Sequence, residues 1–290
     1  MTAAIAGAKP NTKMGGLTAR RLGLHVLLIA MCLVMLYPLL WMLRSSLSPE
    51  NEIFTSSGLP SQVAWENYTE GWASNPPGFG RFLMNSLFVS ILAVLGNLIT
   101  ATMAAYAFGR VQFRGRGILF VIMMGTMMIP GQVTMIPQYS IYNSMGLIGT
   151  YVPLVLPKFL SMDTFFIFLL VQFLRGIPRE LDEAAEIDGC GHIRRFFTIL
   201  LPLMRPAMAT MAVFTFIWTY EDFMGPLIYL ADINTYTVPI GLRMFMNAMG
   251  QSHYGQLFAM TTLSLIPAFI IFTLFQKQLI EGIATTGMKG

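Results

Sequence analysis

Residues 180–206 read ELDEAAEIDGCGHIRRFFTILLPLMRP, a charged and helix-patterned stretch set between two very apolar ones. Its acids are Glu180, Asp182, Glu183, Glu186 and Asp188. Arg194, Arg195 and Arg205 within it, and Arg175 and Arg179 just before it, bring its charge near balance. A strongly cationic loop would point to lipid headgroups, whereas mixed charge on short helices points to a protein surface, so a docking element is expected. Pro178 suits a first helical turn, and Glu180, Asp182 and Glu183 complement the positive end of a helix. Gly189 and Gly191 are expected to end that helix with positive φ. A second run starts at His192, carries Phe196, Phe197, Leu200 and Leu201 as its apolar set, and is expected to stop at Pro202. The expected result is a helical elbow.

The composition around the elbow requires a membrane. Charged residues make up 11% of the 290 and apolar ones 55%, against about 25% charged in soluble domains. So few charges would not cover a soluble surface of this size. The 23 Met and 22 Phe suit interhelical and lipid-facing packing rather than a cofactor site. Cys32 falls in an apolar run and Cys190 in the elbow, so no disulfide between them is expected. Neither the cysteines nor His25, His192 and His253 have metal-ligand spacing.

Six apolar runs, 22–43, 82–108, 118–137, 151–174, 207–230 and 254–275, are long enough to cross a hydrocarbon core of about 30 Å at about 1.5 Å per residue. Lipid satisfies no backbone group, so the expected fold is all-α, an integral membrane bundle of six transmembrane helices. The basic, polar start (Lys9, Lys13, Arg20, Arg21) leads into the first run with no small-residue cleavage site behind it, and an uncleaved helix is expected. With the N-terminus inside, that group, Arg110, Arg114 and Arg116, the five arginines of the elbow region, and Lys277 and Lys289 are all cytoplasmic. Arg44, Arg81 and Arg243 are outside and Lys158 lies within a span. This bias puts both termini and the elbow, between the fourth and fifth spans, in the cytoplasm.

The longest outer segment, 45–80, holds Glu50, Glu52, Glu66, Glu70, Trp65, Tyr68 and Trp72, and either meets a soluble partner or lies on the membrane. Tyr236 and Tyr254 suit interfacial anchors. Pro130, Gly131 and Pro137 interrupt the third span, and Pro153 and Pro157 the fourth. Such breaks either kink a helix or line a cavity. Lys158 and Asp163 on the fourth span and Glu221 and Asp222 on the fifth are costly in lipid, and Lys158, Glu221 and Asp222 are expected at one level, about 10–14 Å deep. On a regular helix Lys158 and Asp163 point about 140° apart and are not expected to pair. These groups either lock the two helices as an ion pair or, with Trp218 and Tyr220, line a path for a polyhydroxyl substrate.

Glu183-Ala184-Ala185, then Gly189, then Ile199, Leu201 and Pro202 resemble the EAA motif of membrane subunits of binding-protein-dependent ABC importers. Asn85-Ser86, Ala104 to Phe108, Phe113-Arg114-Gly115, Ile129-Pro130, Phe168 to Leu170, Gln172-Phe173 and the tail Lys289-Gly290 are similar to the sugar-importing, maltose-type branch, so the likeness covers residues 22–290. The resemblance implies a permease subunit, not an enzyme, forming half of a path for a carbohydrate or related solute in a bacterial-type plasma membrane. It implies a second homologous permease subunit, two ATPase subunits that bind ATP and Mg, and an extracytoplasmic solute-binding protein. The elbow would be the coupling helix: Gly189 would give the tight turn, Glu183 and Asp188 would pair with ATPase groups, and Ala184 and Ala185 would permit close approach. Where the sugar-importer pattern runs Trp-Asn-Asp-Phe, this chain has Tyr220-Glu221-Asp222-Phe223, so no particular sugar is named.

The expected division is a cytoplasmic tail 1–21, a first helix and outer loop 22–80, a transmembrane core 81–276 and a cytoplasmic tail 277–290. The chain has no phosphate-loop G-x-x-x-x-G-K-[ST], no G-x-S-x-G and no H-E-x-x-H, which argues against nucleotide hydrolysis or another enzymatic role. Nothing in it points to nucleic acid. An autonomous channel or ion-coupled transporter using the intramembrane charges is the alternative.

Overall fold

The computed structural model describes residues 13–56, 58–74, 76–246 and 253–287, with side chains between 21 and 278. Lys9, Lys289 and Gly290 of the sequence reading lie outside them. The regular elements among the described residues are all helices, with no strand among them. Four helical stretches are long and apolar enough to cross a membrane: Arg21–Ser46 within α1 (Lys13–Ser46), α3 (Phe79–Gly109), Val152–Gly176, and Tyr254–Gln278 within the last helix. Two more qualify only as bent pairs. Between α1 and α3 lies a short helix, α2 (Glu66–Ala73).

The helices between α3 and the C-terminus break where the backbone chemistry demands it. The third span separates into α4 (Arg116–Thr126) and α5 (Gly131–Ser144), bent by 98°, because the residue before a proline is pushed out of the helical region at Ile129-Pro130. The fourth becomes α6 (Val152–Phe159) and α7 (Thr164–Gly176), parted at Ser161, a non-glycine residue at φ 56°. The expected fifth span, 207–230, is likewise not continuous. After α8 (Glu180–Ile187) and the elbow's second arm, α11 (Arg205–Tyr220) ends, 221–223 bend, and α12 (Met224–Tyr229) follows. The arm comprises α9 (His192–Arg195), a π-helical turn Phe196–Leu200, and α10 (Leu201–Leu203), bent by 75° from α11. Then come α13 (Val238–Arg243) and α14 (Tyr254–Gly287).

Unbroken α3 is the centre against which α6, α7, α11 and α13 pack. Its buried face is mostly small: Ala93, Gly96, Ala101, Ala105 and Gly109. Without an aqueous hydrophobic effect between them, membrane helices gain by close van der Waals approach. A Cβ on Gly96 would sit 2.8 Å from a ring carbon of Phe159, and one on Gly109 3.0 Å from Leu174. Two apolar clusters result. One joins α3, α7, the elbow and α11 through Leu170, Leu174, Phe196, Leu200 and Met204. The other, at the opposite end, joins α3, α11, α13 and α14 through Phe79, Phe82, Phe216 and Met260. Between them α3 and α11 bury Ser90, Asn97, Thr102 and Thr215.

The segment after α1 folds onto the start of α14. Asn67 donates to the Ser46 and Ser48 carbonyls at 3.1 and 2.9 Å, while Glu50 accepts the Tyr254 and Gly255 amides at 2.8 and 2.9 Å. A carboxylate there satisfies free amides at a helix N-terminus and complements its dipole.

Candidate functional site

Two sites stand about 20 Å apart along α3, from Arg110 to Asn97, at about 1.5 Å per residue. The first is the elbow. Its α8 ends as the sequence requires: Gly189 takes φ +73°, its amide donates to Glu186 O at 3.0 Å, and the Cys190 amide donates to Ala185 O at 2.8 Å. This double bond pattern satisfies the last carbonyls with one left-handed residue. Gly191 therefore does not take positive φ as expected; it is extended, at φ −67° and ψ 165°. Pro178 precedes the helix by two residues rather than entering its first turn. Pro202 does not stop the second arm either. The π turn lets the Leu201 amide bond Phe196 O, and Pro202 sits in the first turn of α10, where its missing N–H is no loss; the chain bends at Met204 instead.

Three of the charged groups at the elbow, Arg110, Asp182 and Arg195, turn inward, while Glu180, Glu183, Glu186, Asp188 and Arg194 are exposed. Arg110, just past α3 and with a side chain only 6% exposed, lies 3.3 Å from Asp182 and donates to Leu174 O and Ile177 O at 2.9 and 2.7 Å. Arg195 lies 3.4 Å from Glu186 and 3.9 Å from Asp182, and the Tyr106 hydroxyl donates to His192 O at 3.0 Å. Burial presses the Arg110 guanidinium below its usual value, and the Asp182 carboxylate opposes that. Apolar surface turns outward: Ile187 is 87% exposed, Ile193 77% and Phe197 55%, so that of the apolar set of the second arm Phe196 and Leu200 are buried and Phe197 is not. Of the motif residues, Glu183, Ala184, Asp188, Gly189 and Pro202 are exposed, Ile199 and Leu201 half-buried, and Ala185 buried. From the sequence Arg110 is only a loop cation and Tyr106 only a member of the Ala104 to Phe108 run; the fold brings both onto the elbow, at Asp182 and His192.

The second site is the charged layer. Lys158 and Asp163, not expected to pair, form an ion pair of 2.7 Å with both side chains 23% exposed. The 140° separation presumed a continuous helix, and the break at 160–163 folds Asp163 back toward Lys158. Asn97 donates to the same Asp163 oxygen at 2.6 Å and to Thr215 at 3.0 Å, and Thr100 donates to Lys158 O at 2.7 Å. Asp222 does reach this level: with Lys158, Trp218 and Thr219 it lines a cavity of about 90 Å³. It also caps α12 by accepting the Gly225 amide at 3.1 Å. Glu221 is exposed in the bend and lies outside that lining. Trp218, 51% exposed, stacks among Phe165, Phe166 and Phe214, with centroids 5.2–5.7 Å away, beside a second cavity of about 230 Å³ that Asp163 also lines. Tyr220 turns the other way, buried on Phe216 and donating to Ser264 O at 2.9 Å on α14.

Residues 96–284 match the family described as binding-protein-dependent transport system inner membrane component. A probable ABC transporter permease protein, YurM, of Bacillus subtilis (strain 168) is 36% identical over 266 residues, 91% of this chain and 87% of that protein. The trehalose/maltose transport system permease protein MalG of Thermococcus litoralis is 29% identical over 93% of this chain and 98% of its own. The arabinooligosaccharides transport system permease protein AraQ of Bacillus subtilis (strain 168) is 31% identical over 93% and 96%. A solved bacterial ABC transporter involved in the import of the acidic polysaccharide alginate has a chain of like fold, with a TM-score of 0.77 at 21% identity, covering 95% of this chain and 100% of that one.

Proposed function

Since the chain belongs to the binding-protein-dependent transport system inner membrane components, and is thus a multi-pass ABC importer permease rather than an enzyme, we propose how it serves that importer. It provides half of the path for a carbohydrate, and its 180–206 elbow is the coupling element on an ATPase subunit. That membership sets aside an autonomous channel or ion-coupled transporter.

The observation that carries the coupling role is the apolar set on the elbow surface: Ile187, Ile193 and Phe197 are presented outward while Arg110, Asp182 and Arg195 are drawn together inside. Apolar side chains gain by burial in a partner's cleft, and the exposed Glu183 and Asp188 flank them as polar rim groups. The basic-residue bias favours six spans with both termini and the elbow cytoplasmic; the third span is then the bent pair α4 and α5, and the fifth is α11 with α12, the elbow's second arm staying outside it. The tails 1–21 and 277–290 would then flank the first helix with its outer loop, 22–80, and the core 81–276. The partners are a second homologous permease, two ATPase subunits holding ATP and Mg, and an extracytoplasmic solute-binding protein.

Carbohydrate as cargo is supported by the relatives named for trehalose/maltose and arabinooligosaccharides and by the charged layer. There Trp218 offers an exposed aromatic face and Asp222 an acceptor for hydroxyls, while Lys158 is held by Asp163. Glu221 stands at the rim of this path, and Tyr220 supports it from behind. The test is purification of the solubilised chain from its native membrane. A second multi-span subunit and an ATPase should accompany it, with hydrolysis rising when sugar and binding protein are added; a chain recovered alone overturns the reading.

A further inference from the structure

We propose that Arg110 is the positioning residue that makes the elbow, α7 and α3 move as one body, so that ATPase motion at the elbow reaches the Lys158–Asp163 layer. The inference rests on the coupling role just given. It begins at the joint between α7 and α8, where α7 ends at Gly176, Ile177 is extended at ψ 130°, and α8 starts only at Glu180. No helical ladder crosses residues 177–179, and such a joint swings unless something spans it. Arg110 spans it. One nitrogen bonds the Leu174 and Ile177 carbonyls on the α7 side, and the other pairs with Asp182 on the α8 side. Planar guanidinium donors suit this simultaneous grip; a lysine ammonium reaches Asp182 but lacks the fork. Tyr106, one turn earlier on α3, ties the second arm through His192 O.

At the middle of α3 the attachments fall on the charged layer. Asn97 holds Asp163, Thr100 holds the Lys158 carbonyl, and Gly96 lets Phe159 and the Lys158 backbone close onto the helix. From there to Arg110 α3 is unbroken and packed on Leu170 and Leu174 of α7, whereas the spans that contain α7 and α11 are interrupted. A rigid element held at two points carries displacement, and a broken one absorbs it.

The test is the complete importer in proteoliposomes with its ATPase subunits and binding protein, reading both ATP hydrolysed and solute moved. In Arg110→Gln, hydrolysis should stay within about twofold while solute moved per ATP falls about tenfold, the scale of a typical coupling energy. Arg110→Lys should fall between the two. A ratio unchanged in Arg110→Gln, or hydrolysis and transport reduced by the same factor, overturns the proposal. Should Arg110→Gln not assemble, Asp182→Asn decides by the same ratio, since it keeps both carbonyl bonds and removes the charge that Arg110 meets across the joint, along with the longer contact to Arg195. Absence of an ATPase from the native preparation would instead count against the coupling role itself.

Discussion

The elbow and the charged layer are both polar constructions on α3, and they distribute their polarity in opposite senses. In the elbow, Arg110, Asp182 and Arg195 are drawn together inside while Ile187 and Ile193 face out. In the charged layer, Lys158 and Asp163 are bonded to each other, and the open positions around them belong to an aromatic face and Asp222. The first arrangement leaves apolar side chains on the surface, where burial against a protein would be a gain. The second neutralises charge in a setting where unpaired charge is costly, and leaves a surface that suits a hydroxylated solute. One site thus has its unmet demand in burial and the other in hydrogen bonding.

Four substitutions would break or sharpen this contrast. The largest effect is expected at the elbow's turn: Gly189→Val puts a β-branched side chain at φ +73°, at a cost of about 1–2 kcal/mol concentrated where the two arms meet. Uptake should be abolished with membrane insertion intact, and normal uptake would remove the elbow from coupling. Next, Lys158→Ala leaves Asp163 with Asn97 alone. The pair is nearly a quarter exposed, so the loss should be about 2–3 kcal/mol, below that of a fully buried pair. Thermal unfolding in detergent should show it, and Lys158→Ala with Asp163→Ala should recover most of it. If the double variant is no better than the single, the pair is not what stabilises the layer.

Ile193→Ser should leave folding unchanged, because the side chain is already exposed, yet weaken ATPase binding about tenfold, or about 1.4 kcal/mol. A binding titration decides, and equal affinity would show that the outward apolar surface is idle. Smallest of all, Gly191→Ala should change stability by less than about 0.5 kcal/mol and uptake not at all, since Gly191 has an ordinary extended backbone. A severe Gly191→Ala phenotype would mean that the turn uses both glycines in a second conformation.

The elbow was legible because its signals are contiguous. Acids at the start of α8 and a glycine four residues beyond the second alanine specify a capped helix and a turn without reference to the rest of the chain. What failed there failed locally: a Schellman-type end needs a single left-handed residue, and a π turn allowed Pro202 to sit within the arm. The charged layer was legible as a list of residues but not as an arrangement. Helical-wheel arithmetic applied across Lys158 and Asp163 presumed a ladder that Ser161 interrupts, and the fifth span was read through the bend at Glu221. Asn97 and Arg110 were passed over for another reason. Each acts on partners more than sixty residues away, and their type alone does not announce it.

The Lys158–Asp163 pair lies five residues apart in one span, and no second span is needed to make it. That matters before the bundle exists. A lone charge at the centre of an inserting helix costs about 2.5–3.5 kcal/mol on insertion scales, and this span bears one of each sign. By folding back at its own break, it carries its counter-ion with it and enters the bilayer electrically neutral. The fourth span can therefore be delivered by the insertion machinery as a self-contained unit, with no need to wait for the acids of the fifth.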